Sequence, residues 1–250
     1  MSQTQSVSAL AHRGYSKAAP ENTLAAYGKA IELQPDFMEC DVRQTKDGQV
    51  IVIHDKSVDR TTDGKGLVAD MTMAELRQLD AGSWFGPEFA GERLPTLEEA
   101  LDLAKGKTVL VIEIKEAGSE DQVIRIIKSR EMSGEVMICS FHYKVGVRMP
   151  ALDPQMPFSP IIYTDQTVGP DEAVRLADEA AAVNGAIFAV NYQAITPALV
   201  EATHSANMLL ESWTVDSEDD MRRMVELGVD VIGSNDIGLL IRVLGEMGAR

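Results

Sequence analysis

Short apolar segments alternate with amphipathic segments along nearly the whole chain, and this alternation restricts the fold more than any other feature. Residues 108–114 read TVLVIEI, which is typical of a parallel strand buried on both faces. After the first apolar run, at 6–11, Leu24, Tyr27 and Ile31 have the spacing of three and four residues that places side chains on one face of a helix. Eight strand-like runs lie at 6–11, 37–42, 108–114, 136–140, 158–163, 186–190, 208–212 and 229–233. The chain is therefore predicted to form an α/β fold, a (β/α)8 TIM barrel.

A doubly wound open sheet is the alternative fold. Such a sheet usually carries a glycine-rich phosphate loop after its first strand, but residues 11–16 read AHRGYS and lack GxGxxG. Residues 50–53 are a further extended piece that either extends or flanks the second strand. Residues 56–95 are rich in Thr, Asp, Gly and Pro, and we interpret them as a small insertion on the barrel. Residues 1–250 are predicted to form a single domain.

Capping signals and periodicity locate most of the helices. Thr96 with Glu99, and Thr72 with Glu75, have the spacing of a capping box. Ser119 with Gln122 is predicted to open another helix. The helix that starts at Thr72 is predicted to span 72–79, and further helices are predicted at 171–182, 197–206, 218–227 and 236–247.

The chain carries 23 Lys+Arg and 39 Asp+Glu, a formal net charge of −16. That balance argues against a nucleic-acid partner, which requires a basic face, and against anionic membrane surfaces. It leaves room for one small anionic substrate in a local positive pocket. Residues 171–230 hold 12 acidic residues against 3 arginines, which we interpret as solvated helical surface.

Two cysteines and the amino terminus bear on location. Cys40 and Cys139 lie in apolar runs without metal-ligand spacing, so we predict buried free thiols, as in a cytoplasmic protein. The first residues, MSQTQSVSAL, lack the basic and apolar regions of a signal peptide. No stretch approaches the ~20 apolar residues of a membrane-spanning helix. The sequence does not indicate the oligomeric state.

Carboxylates stand at the ends of two predicted strands, where a (β/α)8 barrel builds its active site. Glu39 and Asp41 are two residues apart, so both project to one face, and Glu113 with Lys115 repeats that spacing. Three converging carboxylates would repel one another unless a divalent cation joined them. Oxygen ligands suit Mg²⁺ or Ca²⁺ equally. Pairing of these acids with Arg or Lys on neighbouring strands is an equally open interpretation.

Two of the four histidines, His12 and His54, end strand-like runs beside a charged residue. A histidine pair flanking one bond can serve as general base and general acid, whereas ordinary structural hydrogen bonding is the alternative. His204 is predicted to lie on a helix surface, and His142 is left as an undecided rim residue.

Arg13 and Lys115 place positive charge beside the carboxylates and match phosphate oxygens, although salt bridges to the same acids would explain them too. Trp213 either stacks on the organic part of a substrate or packs in the barrel. Trp84 and Phe85 either cover the mouth as a lid or anchor the insertion. A cation, a guanidinium, an ammonium and two imidazoles together favour phosphodiester cleavage.

These residues fall in motifs that resemble the glycerophosphodiester phosphodiesterase family. The motifs run in family order, densely in the first half of the chain and sparsely in the second. They are AHRG (11–14), APENT (19–23), ECDV (39–42), VIHD (52–55), VDRTT (58–62), LDAGSWF (79–85), RLPTLEE (93–99), EIK (113–115) and SWTV (212–215).

The resemblance implies a barrel with an insertion between the second strand and its helix. It also implies hydrolysis of glycerophosphodiesters, such as glycerophosphocholine or glycerophosphoethanolamine, to glycerol 3-phosphate and an alcohol. In that scheme one Mg²⁺ or Ca²⁺ is bound, Glu21 and Asn22 shape the first loop, and the remaining roles fall on the residues already named. The metal ligands are Glu39, Asp41 and Glu113, the acid/base pair is His12 and His54, and the phosphate contacts are Arg13 and Lys115.

The chain departs from the family pattern near its end. Where the family commonly reads GVDGIxTD, residues 228–235 read GVDVIGSN, so Val231 replaces a glycine and Asn235 an aspartate. His142 stands where the family often has an acidic or small polar residue. We expect these changes to leave the metal and histidine positions untouched and to affect leaving-group preference.

Several functions remain open from the sequence. We favour His12 as base and His54 as acid, with attack either by the substrate's own 2-hydroxyl, through a cyclic phosphate, or by water. Alternative substrates are a sugar phosphodiester or a lysophospholipid. A non-catalytic binding protein and a metal-dependent sugar isomerase are further alternatives, and neither is favoured by the residues present.

Overall fold

The computed structural model describes residues 6–250. The predicted absence of a signal peptide rests partly on residues 1–5, which lie outside this range. The strands are β1 Ser8–Ala11, β2 Phe37–Gln44, β3 Val50–Val52, β4 Val109–Ile114, β5 Val136–Ser140, β6 Phe158–Ile162, β7 Ile187–Asn191, β8 Leu209–Trp213 and β9 Val231–Ser234. The helices are α1 Leu24–Glu32, α2 Met73–Leu76, α3 Leu97–Ala104, α4 Glu120–Ser129, α5 Tyr143–Leu152, α6 Pro170–Ala181, α7 Pro197–Ser205, α8 Glu218–Leu227 and α9 Ile237–Met247.

Eight of the strands described within residues 6–250 are parallel and close into a barrel, because β1 pairs with both β2 and β9. Helices connect successive barrel strands. The predicted (β/α)8 TIM barrel is confirmed, and the open-sheet alternative is wrong. No helix in this part of the chain has both the length and the apolar character needed to cross a membrane.

Strand β3 lies outside the barrel. It pairs antiparallel with the end of β2, with Val52 opposite Val42 and Val50 opposite Gln44. The extended piece therefore flanks the second strand. It leads into residues 53–95, which pack around a small apolar cluster of their own that includes Val58, Leu76 and Leu94.

Ion pairs fasten the 53–95 segment to the barrel. Arg77 Nη1 and Nη2 donate to the two carboxylate oxygens of Glu99, on α3, at 2.7 and 2.8 Å. Trp84 donates its indole N–H to the carbonyl of Ala81 and packs edge-on against Phe85. Neither ring lines the cavity at the barrel mouth. That this segment is an insertion within a single domain stays a prediction.

The predicted capping residues precede helices, but one of them makes no capping hydrogen bond and one helix was not predicted. The capping boxes of Thr72 and Thr96 form as predicted, although α2 ends at Leu76. Ser119 precedes α4, but its side chain makes no capping hydrogen bond. Helix α5 was not predicted, because Pro150 lies within it and its apolar residues have weak helical periodicity.

Apolar side chains fill the barrel below its mouth. The inner cluster consists of Leu10, Val111, Met137, Cys139, Ile187 and Val231, and a larger cluster lies between the strands and the helices. Cys40 and Cys139 are buried free thiols, as predicted. The cluster of charged side chains consequently lies toward the carboxyl ends of the strands.

Candidate active site

Three carboxylates from β2 and β4 converge at the barrel mouth. Asp41 is the register partner of Glu113, and Glu39 projects to the same side as Asp41. One oxygen from each carboxylate lies within 4.8 Å of the others, and all three side chains are buried. The sequence therefore predicted this convergence correctly from strand alternation alone.

Two cations contact the carboxylates. Arg13 Nε lies 3.2 Å from Asp41 Oδ2, while Lys115 Nζ lies 2.7 Å from Glu113 Oε1 and 3.3 Å from Asp41 Oδ1. Among residues 6–250, Glu39 Oε1 has neither a hydrogen-bond donor nor an ion-pair partner although it is buried. Salt bridging thus accounts for Asp41 and Glu113 and leaves an oxygen of Glu39 unsatisfied.

Burial and mutual repulsion shift the pKa values of the three carboxyl groups. Burial, then repulsion from Asp41 and Glu113, raises the pKa of Glu39 well above its usual range. Burial and Asp41 raise the pKa of Glu113 to about 7. Burial would also raise the pKa of Asp41, but Arg13 and Lys115 hold it below its usual range. A divalent cation would relieve this repulsion, so the residues present fit one.

An unusual backbone at 13–14 brings the first loop against the carboxylates. Arg13 adopts a left-handed φ of 57° and donates its backbone N–H to Glu39 Oε2 at 2.8 Å. Gly14 follows at φ 79°, and a Cβ there would lie 2.8 Å from the backbone of Ala26. The AHRG motif is therefore required for the close approach of this loop.

Asn22 secures the loop from the other side. It too has a left-handed φ of 57°. Its Nδ2 donates to Asp41 Oδ2 at 2.7 Å, while its Oδ1 accepts from the Asp41 backbone N–H and from the hydroxyl of Tyr27. Glu21 Oε1 forms an ion pair with Arg13 Nη1 at 2.8 Å, and Glu21 also forms an ion pair with Arg60. These contacts fix the orientation of one carboxylate and one guanidinium at the mouth.

His12 ends β1 and is held by a neutral amide. Its Nδ1 lies 2.8 Å from Asn235 Oδ1, and Asn235 Nδ2 donates to Asp216 Oδ2 at 2.6 Å. Burial, followed by the nearby charge of Arg13, lowers the pKa of His12 to about 4. His12 is therefore a neutral imidazole at neutral pH.

The contact with Asn235 overturns one expectation from the sequence. The Asp-to-Asn departure does touch a histidine position, because residue 235 follows β9, whose register with β1 brings it beside His12. The negative charge is not lost from this corner. It stands one residue further away, on Asp216.

His54 follows β3 and is held by a carboxylate. Its Nδ1 lies 2.7 Å from Asp55 Oδ1, and Asp55 is in turn paired with Arg60. Burial, Arg13 and Lys115 lower the pKa of His54, whereas Asp41 and the Asp55 hydrogen bond raise it. The net result is a pKa below the usual value of histidine. His12 and His54 both line the same cavity as Glu39 and Glu113.

Aromatic rings form the other side of the mouth, and we call Phe141, Tyr163 and Trp213 the aromatic rim. The Trp213 ring packs edge-on against Phe141, with centroids 5.6 Å apart, and tilted against Tyr163 at 6.4 Å. Phe141 and Tyr163 are exposed, and Trp213 lines the cavity. Trp213 therefore both packs in the barrel and presents a face to the cavity.

A sequence profile of the Glycerophosphoryl diester phosphodiesterase family matches residues 12–239. The chain belongs to this family. A glycerophosphodiester phosphodiesterase of Caldanaerobacter subterraneus is 41% identical over 96% of this chain and 98% of its own length. One from Bacillus subtilis is 34% identical, covering 90% of this chain and 82% of its own. Like these relatives, the protein is a glycerophosphodiester phosphodiesterase.

Solved structures agree with the barrel. A putative glycerophosphoryl diester phosphodiesterase from Silicibacter pomeroyi is 25% identical with a TM-score of 0.86, covering 98% of this chain and 95% of its own. A phosphodiesterase from Oleispira antarctica, solved with sn-glycerol-3-phosphate as product, is 27% identical with a TM-score of 0.84. That alignment covers 95% of this chain and 96% of the other.

Sequence reasoning missed several residues of the enzyme's cavity. Glu211 lines it from β8, two residues before Trp213, with the same spacing that singled out Glu39 and Asp41. The interpretation of the acids of 171–230 as solvated surface is wrong for Glu211 and Asp230, because both are buried. Strand alternation applied backwards from Trp213 would have found Glu211.

The two remaining histidines lie outside the cavity. His142 is exposed at the rim, with Nε2 2.9 Å from the carbonyl of Lys115. His204 on α7 is half-buried and bonds Asp230 Oδ2 at 2.7 Å. Neither contacts the carboxylate cluster.

Proposed function

We propose that the enzyme hydrolyses glycerophosphodiesters such as glycerophosphocholine or glycerophosphoethanolamine to glycerol 3-phosphate and an alcohol, in a reaction that depends on one divalent cation. The observation that carries this proposal is the convergence of three buried carboxylates, two cations and two histidines at the barrel mouth, where all of them except Asp41 line one cavity. The Oleispira structure, with glycerol 3-phosphate as its product, supports the assignment of the product.

Glu39, Asp41 and Glu113 would hold the cation, either Mg²⁺ or Ca²⁺, because all three supply carboxylate oxygens and that of Glu39 is unsatisfied. When bound, the cation polarises a phosphoryl oxygen and lowers the pKa of the attacking hydroxyl or water. Asn22 fixes the Asp41 carboxylate, and the backbone N–H of Arg13 fixes that of Glu39. The ligands are thus oriented before a cation arrives.

Arg13 and Lys115 would hold the phosphate of the substrate. Both already lie beside the carboxylates, with Nε and Nζ about 3 Å from Asp41 oxygens. A guanidinium offers a planar pair of donors, and an ammonium offers a point charge. Together they would neutralise the charge that develops on the phosphoryl oxygens in the transition state.

His12 would act as the general base. The Asp216 carboxylate only accepts hydrogen bonds, so it must receive Asn235 Nδ2–H, which turns Asn235 Oδ1 toward His12. His12 then carries its proton on Nδ1, and Nε2 keeps a lone pair. With a pKa of about 4, His12 is free to accept a proton at neutral pH.

His54 would protonate the leaving alkoxide. Its Nδ1 faces the Asp55 carboxylate, which orients the ring and partly offsets the lowering of its pKa by burial. Arg60 holds Asp55 in place through two contacts of 3.0 Å or less. Attack by the substrate's own 2-hydroxyl, through a cyclic phosphate, and direct attack by water are both consistent with this pair.

The test is a substrate panel assayed after chelation and after adding back Mg²⁺ or Ca²⁺. The panel contains glycerophosphocholine, glycerophosphoethanolamine, a sugar phosphodiester and a lysophospholipid. We expect release of glycerol 3-phosphate only with metal. Turnover that survives chelation would overturn the cation proposal, and preference for the sugar phosphodiester or the lysophospholipid would overturn the substrate proposal.

Substitution of a carboxylate tests whether the dependence on a divalent cation arises from these residues. Glu113→Gln should weaken metal binding, measured by titration calorimetry, and lower kcat by about 10³-fold, since a cation contributes several kcal/mol. Glu201→Gln makes the same change on the exposed side of α7 and should alter neither quantity. Equal metal affinity in the two variants would contradict the ligand assignment.

We also propose a cytoplasmic location and a small-molecule substrate without a nucleic-acid or membrane partner. The net charge of −16 and the two buried free thiols support this proposal. Fractionation of cells that express the chain would test the location.

A further inference from the structure

Glu211 is a buried carboxyl that the proposed mechanism does not use. It lies on β8 between Ala189 of β7 and Val231 of β9, and only 7% of its surface is exposed. Its side chain lines the active-site cavity with apolar residues such as Leu10 and Val111. Across residues 6–250, it has no hydrogen-bond or ion-pair partner.

An isolated carboxyl at such a position is unfavourable for folding. Transferring an unpaired polar group into apolar surroundings destabilises the folded state, and nearly all buried polar groups have partners. An apolar side chain of similar size would fill the same space without that penalty. The carboxyl is therefore expected to find its partner in a molecule that enters the cavity.

The state of the carboxyl suits a hydroxyl ligand. Burial, with a smaller contribution from Glu113, raises the pKa of Glu211 to about 8. Near neutral pH the group is then mostly protonated, so it offers one O–H donor and one carbonyl acceptor. A cationic ligand would require the ionised form, whereas a hydroxyl can both accept from and donate to the neutral acid.

Gly233 of the neighbouring strand lies beside the carboxyl, at ordinary van der Waals distance. A Cβ at that position would lie 3.6 Å from Glu211 Oε1. The opposite end of the cavity opens at the aromatic rim, where Phe141 and Tyr163 are exposed. Alcohols of different size fit the open rim, and the enclosed floor suits the part of the substrate that does not vary, which is glycerol.

We propose that Glu211 binds the glycerol hydroxyls of the substrate and thereby selects glycerophosphodiesters over phosphodiesters that lack hydroxyl groups. This inference rests on the proposed function. It makes Glu211 a specificity-determining residue at the floor of the site, while Arg13 and Lys115 hold the phosphate above it.

The test compares two substrates in two variants. Glu211→Leu removes the carboxyl at similar volume, and Glu211→Gln keeps a polar group. For Glu211→Leu, kcat/KM with glycerophosphoethanolamine should fall about 10- to 100-fold. With bis(p-nitrophenyl) phosphate, which has no hydroxyl group, it should change less than about twofold. Glu211→Gln should lie between Glu211→Leu and wild type.

Stability and product binding separate recognition from a structural role. Thermal unfolding of Glu211→Leu should occur at the wild-type temperature or above it, because an unpaired buried carboxyl has been removed. In calorimetric titrations glycerol 3-phosphate should bind more weakly to the variant, and inorganic phosphate should bind equally to both.

The role of Glu211 would be overturned if both variants lost kcat/KM equally on the two substrates. It would also be overturned if neither variant lost kcat/KM on either substrate. Equal affinity of wild type and variant for glycerol 3-phosphate would do the same. Failure of the wild-type enzyme to hydrolyse glycerophosphoethanolamine with either metal would instead contradict the proposed function, and the two failures are therefore distinguishable.

Discussion

The two sides of the barrel mouth differ in chemistry. The side built from β1, β2, β3 and β4 carries the charged groups, which are His12, Arg13, Glu39, Asp41, His54, Glu113 and Lys115. The side built from β5 to β8 carries the aromatic rim and one buried acid, Glu211. We call these the charged side and the apolar side.

This difference indicates a division of labour within one cavity. Groups that stabilise charge or move protons act on the phosphodiester, which is the same in every substrate, so they belong to the charged side. The apolar side offers ring faces and a hydroxyl-binding acid, which distinguish one organic group from another. Variants on the charged side should therefore lower kcat, and those on the apolar side should mainly change KM and selectivity.

The largest of these effects is expected for the histidines of the charged side. His12→Ala and His54→Ala should each lower kcat by about 10²- to 10⁴-fold, because each removes a proton transfer. A substrate with a p-nitrophenol leaving group needs no proton donor. It should restore much of the rate to His54→Ala and little to His12→Ala.

His204→Gln is the matched control for these two variants, since His204 lies on α7 outside the cavity. It should keep wild-type turnover. Restoration of His12→Ala but not His54→Ala by the p-nitrophenol substrate would reverse the assignment of base and acid. Wild-type turnover in a variant that lacks both histidines would remove them from the mechanism.

The charged side could be predicted from sequence, and the reason is local. Glu39 with Asp41 and Glu113 with Lys115 lie at strand ends with a spacing of two, so alternation alone places them in the mouth. The alternation of strands and helices also gave the correct barrel. Among the α-helices described in residues 6–250, only α5 was missed, and the boundaries of the predicted strands shifted by two residues at most.

The apolar side was predicted only in part, because Trp213 was singled out and Glu211, two residues before it on β8, was not. Glu211 looks in sequence like one more acid of an acidic region, and its burial depends on pairing with β7 and β9. Asn235 is 223 residues away from His12 along the chain, so only closure of β9 against β1 joins them. Contacts of this kind follow from the closed topology and not from local pattern.

Asn235 provides a test of how the far end of the chain acts on the charged side. Asn235→Asp would place a carboxylate against His12 Nδ1–H and stabilise the imidazolium, so the pKa of His12 should rise from about 4 by roughly one to two units. A base acts only above its own pKa, so the acidic limb of the kcat/KM profile should move to higher pH. The two measurements are kcat/KM against pH and histidine ring NMR.

Activity at pH 5 should fall about 2- to 10-fold in Asn235→Asp, while activity at pH 8 should change little. Asp236 lies beside this position, but its carboxylate caps α9 and accepts from Tyr15, so Asp236→Asn is a matched control for a nearby charge change. It should leave the limb in place. If the acidic limb of the kcat/KM profile does not move in Asn235→Asp, or if His12 titrates as in wild type, then Asn235 does not control the pKa of His12.

The smallest effect is expected on the apolar side, at Trp213. Its ring presents a face to the cavity and packs on Phe141 and Tyr163, so Trp213→Ala should raise KM by about 3- to 10-fold through lost stacking and leave kcat within about threefold. Trp213→Phe keeps an aromatic face and should recover most of the affinity. A fall in kcat at constant KM would show that the ring positions groups of the charged side, and the division between the two sides would then be wrong.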